Sequence, residues 1–251
     1  MDYLNYLKSC RTLGEKYPFI TVDNIGKSVM GKDILSLTLG VAREYVVIFG
    51  GAYGADFFTS HALLSFFSSL CNALAEDGVI AGFRARRALL GRALVIVPAL
   101  NPDGCEIACK GKSACGNLAD KIAKYSGGNY KTFSLNARGK NIDLDFMSVG
   151  EPETAAAVSL LEKTSVRHAL LLSLGENKLV TPQNSAQSDR LTRMSDIISA
   201  STSFALSGDD DLSAGFVDRV FKESGKPTFK VMADPKNQDD LNELLMLFTV
   251  M

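Results

Sequence analysis

The stretch Tyr45-Val-Val-Ile-Phe-Gly-Gly-Ala-Tyr-Gly-Ala-Asp-Phe-Phe-Thr-Ser-His61 decides the fold of this chain. An apolar run leads into a glycine-rich corner and then into a second apolar run, which predicts a buried strand that turns into a helix. Gly50, Gly51 and Gly54 permit backbone angles that other residues resist, so the corner can bring the backbone close to a ligand. Binding sites of α/β proteins lie at such corners, where the strands end.

Outward from this corner, apolar patterns predict strands and helices in alternation. Continuous apolar runs predict further buried strands at residues 92–98 and 168–174, and residues 230–232 predict a last strand. Helical spacing of apolar residues predicts helices at residues 2–14 and 57–74, from 152 onward, and around 191–198, 217–221 and 241–248. Residues 25–40 predict two short strands around a glycine turn, and residues 101–141 predict a long irregular region.

This order of elements predicts the fold class. Connections too long for hairpins imply a mixed, largely parallel central sheet with helices on both faces. We therefore expect a single α/β domain over residues 1–251.

Composition excludes several classes of function. Of the 251 residues, 46% are hydrophobic and 22% are charged, which is typical of a globular protein with a substantial core. Because 27 basic residues balance 28 acidic ones, the net charge of -1 gives no electrostatic basis for a nucleic-acid or membrane partner. The sequence does not indicate an oligomeric state.

Cysteine usage and the amino-terminal residues predict a cytoplasmic protein. The five cysteines form no CxxC pair, and with only two histidines they indicate reduced thiols rather than a zinc cluster or a disulfide framework. The first residues contain an acid and no apolar run of secretory type.

Six short motifs in order resemble the zinc metallocarboxypeptidases, in particular the bacterial branch that cleaves γ-D-glutamyl-diamino acid bonds. Besides the opening corner, they are Ile25-Gly-Lys-Ser-Val-Met-Gly-Lys-Asp-Ile34, Pro98-Ala-Leu-Asn-Pro-Asp-Gly104, Asn136-Ala-Arg-Gly139, Glu151-Pro-Glu-Thr154 and Lys226-Pro-Thr-Phe229. The resemblance spans nearly the whole chain and implies a carboxypeptidase-like fold.

The same resemblance implies a zinc ion bound by two histidines and a glutamate, with a metal-activated water. At the matching positions this chain has Tyr53, Asp56 and Leu172, of which Asp56 alone carries an ionisable oxygen suited to zinc. His61 and His168 do not repair the set: His61 lies in the following helix, and His168 lies about 13 Å along its strand from the required position. We therefore expect no zinc or other cofactor, and we expect the four substitutions Tyr53→His, Asp56→Glu, Leu172→His and Met232→Glu to restore zinc binding.

The family's other catalytic groups are also replaced. Its general base is a glutamate in the pattern P-x-F-T-x-E, where this chain has Met232, which cannot accept a proton. Its asparagine-arginine pair, which grips a terminal carboxylate, is matched by Asp143 and Leu144. With acids at Asp143 and Asp145, we expect the pocket to repel a carboxylate. Arg138 matches an arginine that polarises the scissile carbonyl, and an ion pair with Asp143 or Asp145 is an equally favoured role for it.

Three functional hypotheses follow. The favoured one is a metallocarboxypeptidase-like protein, inactive and without zinc, that binds a peptide, a cell-wall peptide or a protein partner in the former cleft. The candidate ligand-binding residues of that cleft are Tyr53, Asp56, Asn101, Arg138, Asp143 and Asp145. The alternatives are an active metallopeptidase, either a carboxypeptidase or a γ-D-glutamyl-diamino acid peptidase, with a non-standard site, and a structural or oligomeric role that would require the helix at residues 57–74 to be exposed.

Overall fold

The computed structural model describes residues 2–182, 188–207 and 215–251. Ten strands lie within these ranges: β1 Ile20–Lys27, β2 Asp33–Leu39, β3 Tyr45–Phe49, β4 Val79–Ile80, β5 Phe83–Arg84, β6 Ala93–Val97, β7 Val166–Leu174, β8 Lys178–Val180, β9 Ala205–Leu206 and β10 Thr228–Ala233. Ten α-helices lie within the same ranges: α1 Tyr3–Lys16, α2 Phe57–Ala75, α3 Ala85–Ala88, α4 Pro102–Lys110, α5 Ala119–Ser126, α6 Ile142–Asp145, α7 Pro152–Lys163, α8 Asp189–Ser201, α9 Phe216–Ser224 and α10 Gln238–Val250.

Eight strands form one mixed sheet in the order β1-β2-β6-β3-β7-β10-β8-β9. The central strands β6, β3, β7 and β10 are parallel to one another. Strand β2 pairs antiparallel with β1 and β6, and β8 pairs antiparallel with β10 and parallel with β9. Strands β3 and β6 and the centre of β7 are apolar runs because helices cover both of their faces. The predicted α/β fold with a mixed, largely parallel sheet is confirmed.

Alternate residues of the strands build two separate cores. On β3, Val46 and Ile48 belong to the core formed with α1, α2, α8 and α10, whereas Val47 and Phe49 belong to the core formed with α6, α7 and α9. This period of two is the expected alternation of side chains along a strand. The sheet thus separates two helical layers and directs the carboxyl ends of β3, β6, β7 and β10 to one edge.

The long apolar segment after the corner forms helix α2, which packs into the protein. With the preceding turn, residues Gly54–Ala75 are long and apolar enough to cross a membrane by composition, and they form the one such helix in the described part of the chain. However, 56% of the apolar stretch of this helix is buried in the protein, as in the central helix of a globular core. The structural hypothesis that required exposure of this helix is therefore not supported.

The region of residues 101–141 corrects the sequence prediction. It contains α4 and α5 rather than an irregular loop, and these helices surround a small third core with Ile107, Ile122 and Phe133. Glycines at both ends of these short helices hide their periodicity in the sequence. Four of the five unpaired cysteines are buried, and the fifth, Cys109, is exposed on α4.

Candidate functional site

The glycine-rich corner after β3 is fixed by close backbone packing. Gly51 has a positive φ of 58°, and a Cβ atom there would lie 3.0 Å from Ala99 Cα and 2.4 Å from Ser60 Oγ. A Cβ atom at Gly54 would lie 2.4 Å from the Phe133 carbonyl oxygen. The corner therefore packs tightly against the chain around it and places Tyr53 and Asp56 at the carboxyl edge of the sheet.

Tyr53 belongs to a hydrogen-bonded group with Asp143 of α6 and Lys230 of β10, which we call the buried triad. The Tyr53 hydroxyl donates to Asp143 Oδ2 at 2.6 Å. The Lys230 ammonium donates to the same carboxylate oxygen at 2.8 Å and to Tyr53 Oη at 2.9 Å. The three side chains thus form a closed cycle of contacts at the position where the sequence predicted a cleft.

Burial determines the charges within the triad. The side chains of Lys230 and Asp143 are only 9% and 3% exposed, and the second Asp143 oxygen accepts the Phe216 backbone N–H at 2.9 Å. Burial, followed by the nearby Asp143 charge, raises the pKa of Tyr53 far above its usual range. Tyr53 is therefore a neutral hydroxyl donor, and the ionic pair is Lys230 with Asp143.

Sequence reasoning did not single out Lys230. The signal was present, because a lysine interrupts an apolar strand and stands where the family pattern P-x-F-T-x-E has threonine. Its partners lie 87 and 177 residues away along the chain, so sequence spacing gave no indication of the contacts.

Asp56 is a second buried carboxyl at this edge. It is 6% exposed, and its Oδ2 accepts the Leu174 backbone N–H at 3.0 Å, which joins the corner to the end of β7. Burial raises the pKa of Asp56 to about 7, opposed by the Leu174 hydrogen bond and the Lys230 charge. The Asp56 carboxyl therefore changes its ionisation near neutral pH.

Leu172 and Met232 lie on neighbouring strands and carry no chemistry of the expected kind. Leu172 is fully buried in the larger core and pairs with Val231 of β10. Met232 is half-buried, and its side chain lies so close to Gly175 that a Cβ atom there would be 2.5 Å from Met232 Cε. A leucine in the core and a thioether at the strand end supply neither a metal ligand nor a proton acceptor.

The residues at the family's ligand positions do not fit zinc. A protonated phenol, one carboxyl and a leucine replace the three anionic or imidazole ligands that a catalytic zinc site needs. His61 is exposed on α2, and His168 donates from Nε2 to the Phe248 carbonyl oxygen at 2.6 Å. In the three described ranges, no group of three histidine, cysteine, aspartate or glutamate side chains is placed to hold a metal ion.

Asn101 joins the corner to α4 and to Leu135. It is fully buried, caps α4 by accepting the Gly104 N–H at 2.9 Å, and donates to the carbonyl oxygens of Ala52 and Leu135 at 3.1 Å. Its contacts are thus those of a structural cross-link.

Arg138 and Asp145 have partners that correct the sequence expectation. Arg138 lies 3.5 Å from Glu151 rather than beside Asp143 or Asp145, and its side chain is 56% exposed. Asp145 accepts hydrogen bonds from Ser148 Oγ and from the backbone N–H groups of Gly150 and Glu151, so it closes the loop before α7. The expectation that Asp143 and Asp145 together repel a carboxylate is therefore wrong. Asp143 forms an ion pair with Lys230, and Asp145 is hydrogen-bonded within the loop that follows it.

A family model described as zinc carboxypeptidase matches residues 6–181. The chain belongs to the zinc carboxypeptidase family. Its curated relatives include an uncharacterized protein, YqgT, of Bacillus subtilis, which is 25% identical over 150 residues covering 58% of this chain and 40% of the relative. The γ-D-glutamyl-L-diamino acid endopeptidase 1 of Lysinibacillus sphaericus is 23% identical over 156 residues, covering 61% of this chain and 39% of the relative. The chain thus spans about two fifths of these relatives' length.

Solved structures confirm the carboxypeptidase-like fold of this zinc carboxypeptidase family member. Thrombin activatable fibrinolysis inhibitor superposes with a TM-score of 0.73 at 14% identity, covering 99% of this chain and 70% of the other. A metallo-carboxypeptidase of Burkholderia cenocepacia gives a TM-score of 0.69 at 13% identity, covering 98% and 66%. At such identities the similarity establishes the fold alone.

Proposed function

We propose that this chain is a non-hydrolytic member of the zinc carboxypeptidase family that binds a peptide segment at the carboxyl edge of its sheet. The observation that carries this proposal is the buried triad, in which Tyr53, at the first ligand position, is hydrogen-bonded to a protein ammonium group. A hydroxyl that donates to Asp143 and accepts from Lys230 has no free role as a metal ligand.

Hydrolysis by the family mechanism needs a metal-bound water and a base to deprotonate it. Tyr53 and Leu172 remove two of the three ligands, and Met232 removes the base. The losses affect separate steps of one reaction, so restoring any single residue would not restore the activity.

Exposed groups on and beside α6 and at the end of β7 support a peptide ligand. Arg138 keeps an accessible guanidinium, which can donate to a peptide carbonyl or carboxylate. Leu144, at the family's anchor position, is 55% exposed, and Met147 and Leu174 are 59% and 36% exposed. Apolar side chains in place of a carboxylate anchor favour an internal or apolar peptide segment over a charged chain end.

The chemical class of the peptide is a part of the proposal. A relative is a γ-D-glutamyl-L-diamino acid endopeptidase, so peptides with that linkage are the first ligands to test. Other peptide ligands, including a segment of a protein partner, are the second class.

The experiment measures zinc, hydrolysis and binding on the unmodified chain. We expect no stoichiometric zinc by elemental analysis, no zinc affinity of micromolar strength, and no cleavage of peptides or γ-D-glutamyl-L-diamino acid substrates. Zinc binding at that strength with cleavage would establish the alternative, an active metallopeptidase with a non-standard site.

Peptide binding is tested with Arg138→Ala and a matched control. Arg86, 64% exposed and 3.5 Å from Asp77, reproduces the exposure and ion-pair distance of Arg138 at a distant surface. We expect Arg138→Ala to weaken binding of a fluorescent γ-D-glutamyl peptide about 10-fold, the scale of one charged hydrogen bond, and Arg86→Ala to leave it unchanged. Equal effects of both variants, or no binding of any peptide tested, would contradict the proposal.

A further inference from the structure

Lys230 has an unusual position for a lysine. It lies on β10, which pairs with β7 on one side and β8 on the other, and it is 8% exposed. Its side chain reaches from the sheet to α6, and its ammonium also lies 5.2 Å from the centroid of the Tyr53 ring. An ammonium in such a place is stable because a carboxylate, a hydroxyl and an aromatic ring surround it.

We propose that the Lys230 ammonium is a built-in replacement for a bound cation, and that the volume which its outer side chain fills becomes a binding site for small primary ammonium ions when that side chain is removed. This inference rests on the proposed function, because a chain that held zinc at this edge would already have its cation.

The charge balance of Asp143 is the first argument. One carboxylate oxygen receives both the Tyr53 hydroxyl and the Lys230 ammonium, and the other receives a backbone N–H. Removing the ammonium would leave an almost fully buried carboxylate without its ion-pair partner, which is strongly unfavourable. A cation beside the Asp143 carboxylate therefore stabilises the folded chain.

The convergence of distant segments is the second argument. Tyr53 follows β3, Asp143 lies in α6, and Lys230 lies in β10, so the ammonium connects three segments that are far apart in sequence. Two of these positions match the family's first zinc ligand and its carboxylate anchor. A covalently attached cation thus organises groups that, by resemblance, a metal and a substrate organise in the active enzymes.

Chemical rescue tests the inference directly. The variant Lys230→Ala lacks the three outer methylene groups and the ammonium, a fragment that the propylammonium ion reproduces. We expect propylammonium chloride to raise the thermal unfolding midpoint of Lys230→Ala in a saturable manner, with at least a ~10-fold decrease in the unfolding equilibrium constant near saturation. Neutral 1-propanol and equal concentrations of sodium chloride should not reproduce this effect.

Two further variants make the result specific. Lys226 forms an ion pair with Glu44 at the same 2.8 Å, but both side chains are about one third exposed at 36% and 34%, so Lys226→Ala should show no saturable rescue. The double variant Lys230→Ala/Asp143→Asn lacks the carboxylate that attracts the ion, and it should lose the rescue. If Lys230→Ala does not fold alone, the yield of refolded protein with propylammonium against 1-propanol is the measurement.

The inference is overturned if propylammonium stabilises Lys230→Ala no more than 1-propanol does, or no more than it stabilises Lys226→Ala. It is also overturned if the rescue persists in the double variant, because the ion would then act elsewhere. This experiment uses neither zinc nor a peptide substrate, so its failure is distinct from failure of the proposed function.

Discussion

The carboxyl of Asp56 couples the stability of the corner to pH. Its folded pKa of about 7 exceeds the ordinary value of 3.8, so the folded chain holds this proton more tightly than the unfolded chain does. The contribution of Asp56 is therefore most favourable below about pH 4, decreases as pH rises through about pH 7, and is constant above that.

The variant Asp56→Asn removes this dependence while its amide oxygen can still accept the Leu174 N–H. We expect the stability of the variant relative to the unmodified chain to rise with pH, by up to about 4 kcal/mol between pH 4 and pH 8. Urea unfolding at several pH values measures this difference. Asp23→Asn, at an exposed position on β1, is the control, and the same pH trend in both variants would contradict the role of burial.

Single residues also mark the limits of the sequence prediction. The sequence was sufficient to assign four residues to the family's ligand and base positions, because each lies within a few residues of a recognisable motif. These residues are Tyr53, Asp56, Leu172 and Met232. The Lys230–Asp143 pair and the Arg138–Glu151 pair depend on side-chain directions across the folded chain, which sequence spacing does not encode.

At the scale of elements, β10 determines whether a zinc site can be rebuilt. The four substitutions Tyr53→His, Asp56→Glu, Leu172→His and Met232→Glu supply the missing ligands and base, but the Lys230 ammonium remains 2.9 Å from the position of the Tyr53 hydroxyl. Two positive charges this close in a buried site repel strongly.

We therefore expect the four-substitution variant to bind zinc at least ~100-fold more weakly than a variant that also carries Lys230→Thr. Isothermal titration with zinc measures both affinities, and circular dichroism confirms that both variants are folded. Equal, tight affinities would show that the ammonium does not oppose the metal.

The contact between β7 and α10 predicts acid sensitivity. His168 is buried, and burial lowers its pKa to about 3 from 6.5. Its Nε2 donates to the Phe248 carbonyl oxygen, and the two rings meet edge to face at 5.4 Å. Because the unfolded chain binds this proton more readily, stability is lost as pH falls below about 6.5.

The variant His168→Gln keeps a neutral donor and removes the titration. We expect the unmodified chain to lose about 1.4 kcal/mol per pH unit relative to this variant between pH 6 and pH 4. Denaturant unfolding across that range is the measurement, and a constant difference between the two proteins would contradict the buried, neutral imidazole.

Elements differ in how well their patterns predict them. The strands of the sheet centre, β3, β6 and β7, were predictable because burial on both faces gives continuous apolar runs. Strands β8 and β9 have three and two residues and pair at the edge, so they leave no periodic pattern. Helices α4 and α5 were missed because they are short and glycines lie close to their ends.

For the whole molecule, the shared sheet predicts one cooperative unit. Helices of both layers pack on the same strands, and β1 at one edge of the sheet and β9 at the other belong to the same eight-stranded sheet. We expect a single calorimetric transition whose van't Hoff and calorimetric enthalpies agree. Two resolved transitions would show that residues 1–251 contain more than one independently unfolding domain.

The distribution of the five thiols has a practical consequence for studying this molecule. Cys109 is accessible on α4, whereas Cys10, Cys71, Cys105 and Cys115 are enclosed. A maleimide dye would therefore attach at one place in the native protein without any engineering. Since Asn101 caps the same helix and cross-links it to the corner, such a dye is a reporter for ligand arrival at that edge.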